Sequence, residues 1–170
     1  MMRKLLALII LIMGTHTIQA QDNLYKKAWL EKWQNSKNYL IAIAQEMPDS
    51  LYNYKPTARE MSFGEQLEHI NQNIEWLATT YFDKQEAEVS NTENPKQRII
   101  SNLSNSFDLV FKTVNSFPNE RLGESVDFFA GEKSRLQILN LLHDHVTHHR
   151  GQLIVYLNLN DIKPPSYVGW

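Results

Sequence analysis

The apolar side chains of residues 62–81 recur every three or four positions over five turns. No other pattern in the chain limits the set of possible folds as much. They are Phe63, Leu67, Ile70, Ile74, Leu77 and Tyr81. Such a stripe lies on one face of an α-helix, which must bury that face against another element. Ser62 and Glu65 have the spacing of a capping box, in which each side chain satisfies a backbone amide of the other. The pattern predicts an amphipathic helix that begins after Ser62.

Three further stretches show helical periodicity. The first runs from about residue 22 to residue 47, before Pro48, and the third begins at Asn94-Pro95, a favourable cap followed by a favourable first position. The last begins at the capping box of Ser134 and Gln137 and continues to about residue 158. Residues 83–93 read as a linker, and residues 120–133 as a short hairpin or an ordered loop. Four amphipathic helices without a strong strand pattern predict an all-α four-helix bundle. The long connections leave its topology open.

The first twenty residues have the composition of an export signal. A basic start at Arg3 and Lys4 precedes the unbroken apolar run Leu5–Met13, and a more polar stretch ends at Ala20. A run of nine apolar residues is too short to span a bilayer, which needs about 20. We therefore expect residues 1–20 to be a signal peptide and residues 21–170 to form one exported domain, periplasmic or secreted, without a stable membrane span. A retained anchor is the alternative.

Charge and cysteine content exclude several classes of function. Removing Arg3 and Lys4 from the 17 basic residues leaves 15 against 19 acidic residues, so the chain has no basic footprint for nucleic acid. The sequence contains no cysteine, which excludes disulfides and a thiolate nucleophile. Any bound metal must therefore be held by histidine or carboxylate side chains. Trp29 and Trp33 have two readings, as part of a homodimer interface or as part of the core.

Four of the six histidines fall within seven residues of the last predicted helix, at positions 143, 145, 148 and 149. His145 and His149 are four residues apart, so their rings share one helix face. Burying an imidazole without a partner costs a few kcal/mol. Hydrogen bonds or a metal ion must offset this cost, and the i, i+4 pair favours a divalent metal over two satisfied core histidines.

A two-histidine site needs a third ligand, and His69 on the second predicted helix is a candidate. Its spacing places it at the flank of the apolar stripe, which fits either a ligand or a half-exposed polar residue. His148 points about 100° away from His149. It is either an acid–base group at the rim of the site or an ordinary surface histidine. His143 faces roughly the opposite way from His145, which favours a solvated or packed role.

Two segments resemble signatures of the DinB-like (YfiT-like) family. Residues 145–153, His-Val-Thr-His-His-Arg-Gly-Gln-Leu, and the Pro-Pro-Ser-Tyr segment that ends at Tyr167 resemble its last-helix signature. Residues 61–70, Met-Ser-Phe-Gly-Glu-Gln-Leu-Glu-His-Ile, resemble its second-helix signature. The resemblance covers essentially the whole chain after the signal. It implies a four-helix bundle in which His69, His145 and His149 hold a divalent metal ion.

The resemblance also implies candidate activities. Some members of the family are thiol-dependent S-transferases or isomerases that use small-molecule thiols such as bacillithiol or mycothiol. We therefore expect a metal-dependent hydrolase or thiol S-transferase acting on a small molecule, with His148 as the nearest spare acid–base residue. A non-catalytic metal-binding bundle of the cell envelope is the alternative, and a purely structural bundle is the third reading. Nitrogen ligands suit zinc, nickel, copper or iron, so the metal is not specified.

Overall fold

The computed structural model of the protein describes the backbone of residues 2–83 and 87–170 and the side chains of residues 24–83 and 87–170. The helices are α1 (Met2–Glu46), α2 (Phe63–Tyr81), α3 (Pro95–Ser116) and α4 (Arg135–Leu159). Short 3-10 helices at Asp49–Leu51 and Asn119–Gly123 lie in the connections after α1 and α3. The predicted all-α four-helix bundle is confirmed.

The helix starts follow the predicted caps. The Ser62 amide donates to Glu65 Oε2 at 2.6 Å, and the Glu65 amide donates to Ser62 Oγ at 3.2 Å. The Asn94 side chain caps α3, and Ser134 with Gln137 forms the second capping box at α4. These contacts involve residues three apart, which is why the sequence alone predicts them.

Helix α1 begins much earlier than the predicted residue 22, since its backbone is helical from Met2. The side chains of residues 1–23 lie outside the described part of the structure, so the export signal stays a prediction. Within the described residues, we find no helix with a stretch both long and apolar enough to span a bilayer.

The bundle places α1 and α2 diagonally, because each of them packs against both α3 and α4. The Arg135 guanidinium donates through Nε to the Tyr81 carbonyl at 2.8 Å, which joins the start of α4 to the end of α2. At the other end, the Tyr156 hydroxyl donates to the Met61 carbonyl at 2.8 Å. Helices α2 and α4 are therefore antiparallel neighbours, and this pairing positions the histidines.

Trp29 and Trp33 belong to the core and are 4% and 1% exposed. The Trp33 indole donates to the Phe107 carbonyl at 3.0 Å, and the Trp29 indole donates to the Leu139 carbonyl at the same distance. Their rings stack with centroids 5.0 Å apart. These contacts decide between the two readings of the tryptophans, because rings buried within one chain are not available to a second copy.

A short hairpin was one of the two structures predicted for residues 120–133, and the structure contains a two-stranded antiparallel hairpin there. Strand β1 (Ser125–Val126) pairs with strand β2 (Lys133–Ser134), with Ser125 opposite Ser134. Gly131 has a φ of +90°, a conformation that glycine adopts without steric cost. The hairpin tip carries two phenylalanines beside the end of α2.

Candidate metal centre

Three imidazole rings from two helices converge on one point. His145 and His149 come from successive turns of α4, and His69 comes from α2. The ring centroids are 4.9 Å apart for His69 and His145, 4.7 Å for His69 and His149, and 4.5 Å for His145 and His149. One ring nitrogen from each residue lies within 4.8 Å of those of the other two. The structure thus brings together the three residues that the sequence analysis singled out.

The closest approach within this cluster joins the Nε2 atoms of His69 and His145, which are 3.1 Å apart. Two imidazole nitrogens can stand this close only if one donates its N–H to the lone pair of the other, or if both lone pairs face one cation. Two nitrogens that bind one zinc ion tetrahedrally at 2.0–2.1 Å are themselves about 3.3 Å apart. The spacing and the donor chemistry therefore both fit a divalent metal ion.

A hydrogen-bond chain sets which nitrogen of His149 faces the cluster. Tyr156 donates to the Met61 carbonyl, so its oxygen is free to accept from Gln66 Nε2 at 3.4 Å. The amide oxygen of Gln66 then lies 2.5 Å from His149 Nδ1, which must carry the proton. The lone pair of His149 consequently sits on Nε2, the nitrogen left free for a metal.

Gln152 supports the same tautomer from the next turn of α4. Its Oε1 accepts from His149 Nδ1 at 3.0 Å, so the Nδ1 proton is shared between two amide oxygens. Its Nε2 lies 3.3 Å from His148 Nε2 and donates to it. Gln152 therefore connects His149 to the exposed neighbouring histidine.

Burial keeps the imidazoles of His145 and His149 neutral. Desolvation, followed by the positive charges that His149, His69 and His148 would carry, lowers the pKa of His145 to about 4. Desolvation is also the main cause of the lowered pKa of His149, followed by the charge of His69. Neutral imidazole is the form that binds metal, so the two rings of α4 are available as donors at neutral pH.

The other histidines of α4 have separate surroundings. His148 is exposed, and its ring lies edge-on to His149 with centroids 4.9 Å apart. His143 is 4% exposed and packs on Trp29 and Trp33, with Nε2 3.2 Å from the Trp29 carbonyl. His143 is therefore a packed core residue, which is one of the two roles predicted for it. The catalytic role of His148 stays a prediction.

Sequence reasoning missed Gln66 as a supporting residue. The neighbouring Glu65 carboxylate instead accepts from the Ser62 amide and pairs with Lys55. Gln66 is 2% exposed and lies three residues before His69, on the same side of α2. A buried amide next to a candidate ligand needs a hydrogen-bond partner, and that need was the available signal.

The C-terminal segment contacts α1. The Tyr167 ring lies edge-on to Tyr39, and the Trp170 carbonyl accepts from the Asn35 amide. A groove of about 460 Å³ opens beside His69 and is lined by the loop before α2 and by the exposed side of α2. The cluster therefore has a solvent-facing side.

The fold and the three imidazoles presented by α2 and α4 indicate the class of protein, a helical bundle with a candidate metal centre. The sequence model of the DinB family matches residues 13–167, and the chain belongs to that family. No functionally curated protein is detectably similar to it.

Two solved structures of DinB-like proteins share the fold. The protein from Bacillus subtilis is 19% identical with a TM-score of 0.68, and the match covers 82% of this chain and 96% of that one. The protein from Bacillus cereus is 18% identical with a TM-score of 0.72, over 84% of this chain and 97% of that one.

Proposed function

We propose that this DinB-family protein binds one divalent metal ion through His69, His145 and His149 and uses it to transform a small molecule. The observation that carries the proposal is the convergence of three ring nitrogens within 4.8 Å from two helices. Hydrolysis and thiol S-transfer are the reactions we propose. A metal ion held in this way supplies Lewis acidity, which favours the deprotonated form of a water or a thiol.

The residues of the chain have distinct parts in this proposal. Three imidazoles provide the donors, and the Gln66 and Gln152 oxygens fix the ring of His149 through its Nδ1 proton. The side of the cluster that faces solvent admits the substrate. His148 is adjacent to His149 and exposed, so we assign it the role of accepting or donating a proton during the reaction.

Metal titration of the purified protein tests the binding step. We expect one equivalent of zinc per chain by calorimetry, and loss of stoichiometric binding in His69→Ala, His145→Ala and His149→Ala. His148→Ala is the matched control, because it removes an exposed histidine of the same helix and should leave the stoichiometry unchanged. Full zinc occupancy in His145→Ala would refute the ligand assignment.

Turnover assays separate an enzyme from a metal-sequestering bundle. The metal-loaded protein should hydrolyse an activated ester or couple a thiol to chlorodinitrobenzene, and His148→Ala should lose rate while it retains metal. If broad panels of esters, amides, and thiols with electrophiles give no metal-dependent turnover, a sequestering role is favoured.

We also propose that the protein acts outside the cytoplasm, on the basis of the basic and apolar start of its sequence. Cell fractionation tests this, and mass spectrometry of the mature chain should find an N-terminus at Gln21. A protein that retains residues 1–20 in the cytoplasm would contradict the proposal.

A further inference from the structure

An exposed aromatic surface lies where the hairpin tip packs beside the end of α2. Trp76 of α2 is 42% exposed and Phe129 of the hairpin tip is 83% exposed, while Phe128 beneath them is 8% exposed. The Trp76 and Phe128 rings stack at an interplanar angle of 26° with centroids 6.0 Å apart. Phe129 lies 4.3 Å from Phe128 and 6.2 Å from Trp76, centroid to centroid. These three rings form an aromatic platform.

The hairpin holds the platform in place. The Gly131 amide donates to the Phe128 carbonyl at 2.8 Å, which closes the turn at the tip. The Lys133 ammonium donates to the carbonyls of Ala130, Gly131 and Glu132 at 3.1 to 3.3 Å. Phe129 is therefore presented to solvent by a tied turn, although an aromatic ring that is mostly exposed forgoes the free energy of burial.

The platform lies on the same side of α2 as the histidine cluster. Trp76 follows His69 by seven residues, which is close to two full turns and an axial distance of about 10 Å. The antiparallel α4 packs along α2, and its Leu141 precedes His145 by one turn and is half-buried. The exposed rings and the metal-binding nitrogens are therefore about two helical turns apart along the α2–α4 pair.

We infer that the aromatic platform is a substrate subsite, which stacks a flat aromatic or conjugated group of a small molecule whose reactive end reaches the three histidines. The inference rests on the proposed metal-dependent function and adds a substrate class to it. The position of the platform on the same side of α2 as the histidine cluster, about two helical turns away, argues for a small molecule as the occupant. Two exposed rings also offer far less surface than the roughly 800 Å² per partner that a stable protein interface buries.

Hydroxamates provide a direct probe, because the hydroxamate group chelates zinc and its substituent can be varied. We would measure the affinity of the zinc-loaded protein for acetohydroxamate and for phenylalkyl hydroxamates with linkers of increasing length, by calorimetry. A linker long enough to span the axial distance of about 10 Å between the cluster and the platform should improve affinity by about threefold to tenfold over acetohydroxamate. Shorter linkers should give little of this gain.

Variants assign the gain to the platform. Trp76→Ala and Phe129→Ala should abolish or reduce the gain from the phenyl group and leave acetohydroxamate affinity unchanged. Trp170→Ala is the matched control, because Trp170 is 66% exposed but lies against α1. It should retain the full gain.

The outcomes separate the inference from the function beneath it. If acetohydroxamate fails to bind the zinc-treated protein, the metal centre and the subsite both fail. If it binds but no phenyl linker improves affinity, or the gain survives in Trp76→Ala, the subsite alone is overturned. A concentration-dependent dimer in sedimentation that Trp76→Ala and Phe129→Ala dissociate would also overturn it, since a second copy would then occupy the platform.

Discussion

The side-chain oxygen of Gln66 lies 2.5 Å from Nδ1 of His149, and this contact joins α2 to α4 at the centre of the histidine cluster. The direction of the hydrogen bond follows from the chain that ends at the Met61 carbonyl, which can only accept. Gln66 therefore fixes both the tautomer and the ring orientation of His149.

Replacing Gln66 by leucine should weaken metal binding without unfolding the protein. The change removes an acceptor for the His149 Nδ1 proton, so the imidazole is held less firmly and in a less defined tautomer. Loss of such a supporting hydrogen bond typically lowers metal affinity by about 10- to 100-fold. Competition with a chromogenic chelator measures the zinc affinity, and circular dichroism monitors the helical content.

Gln66→Glu is the matched control for that experiment, because it keeps an oxygen beside His149 Nδ1. It should retain most of the affinity. Unchanged zinc affinity in Gln66→Leu would show that Gln152 alone is sufficient to orient the ring.

Trp33→Ala should destabilise the fold by about 3–5 kcal/mol. The side chain is 1% exposed, stacks on Trp29 and donates a hydrogen bond to the Phe107 carbonyl. Urea unfolding followed by circular dichroism gives the change in the free energy of unfolding. Trp170→Ala removes an exposed tryptophan and should change it by less than about 0.5 kcal/mol. A similar cost for both variants would argue against Trp33 as a core residue.

Gly151→Ala should stabilise α4. A glycine inside a helix costs about 0.5–1 kcal/mol relative to alanine, and one reason to retain it would be a neighbour that leaves no room for a side chain. A Cβ atom added at Gly151 meets no other atom of the described residues within 4 Å, so no such neighbour is present. Thermal unfolding should show a higher midpoint, and a lower midpoint would reveal a constraint at this position.

The capping box of α2 should make stability depend on acid pH. A hydrogen bond from the Lys55 ammonium, followed by those from Ser62, lowers the pKa of Glu65 from 4.5 to about 2. The unfolded chain therefore takes up this proton first as the pH falls. The contribution of Glu65 is complete above pH 4.5 and is lost progressively toward pH 2.

Comparison with Glu65→Gln isolates this effect, because the amide does not titrate. The free energy of unfolding of the natural protein should exceed that of the variant at pH 6, and the difference should shrink at pH 3. Urea titrations at both values provide the measurement. A difference that does not vary with pH would mean that the carboxylate charge plays no part in the cap.

Local patterns predicted the helices well. The caps at Ser62, Asn94 and Ser134 are hydrogen bonds between residues three apart, and helical periodicity reflects neighbouring turns of one segment. The spacing of His145 and His149 is also a relationship between residues on neighbouring turns, so the sequence alone predicted their shared helix face. The start of α1 was not readable, because residues 1–20 were set aside as a signal peptide.

The sequence by itself determined four amphipathic helices, their caps, and a pair of imidazoles one turn apart, because these depend on contacts within a few residues. Only the tertiary structure decided that α2 lies antiparallel to α4, that His69 meets the pair, and that Gln66 supports His149. Gln66 and His149 are separated by 83 residues, and their contact requires both helices to have the correct rotation and register. Packing of the whole core sets those two quantities, and no local pattern encodes them.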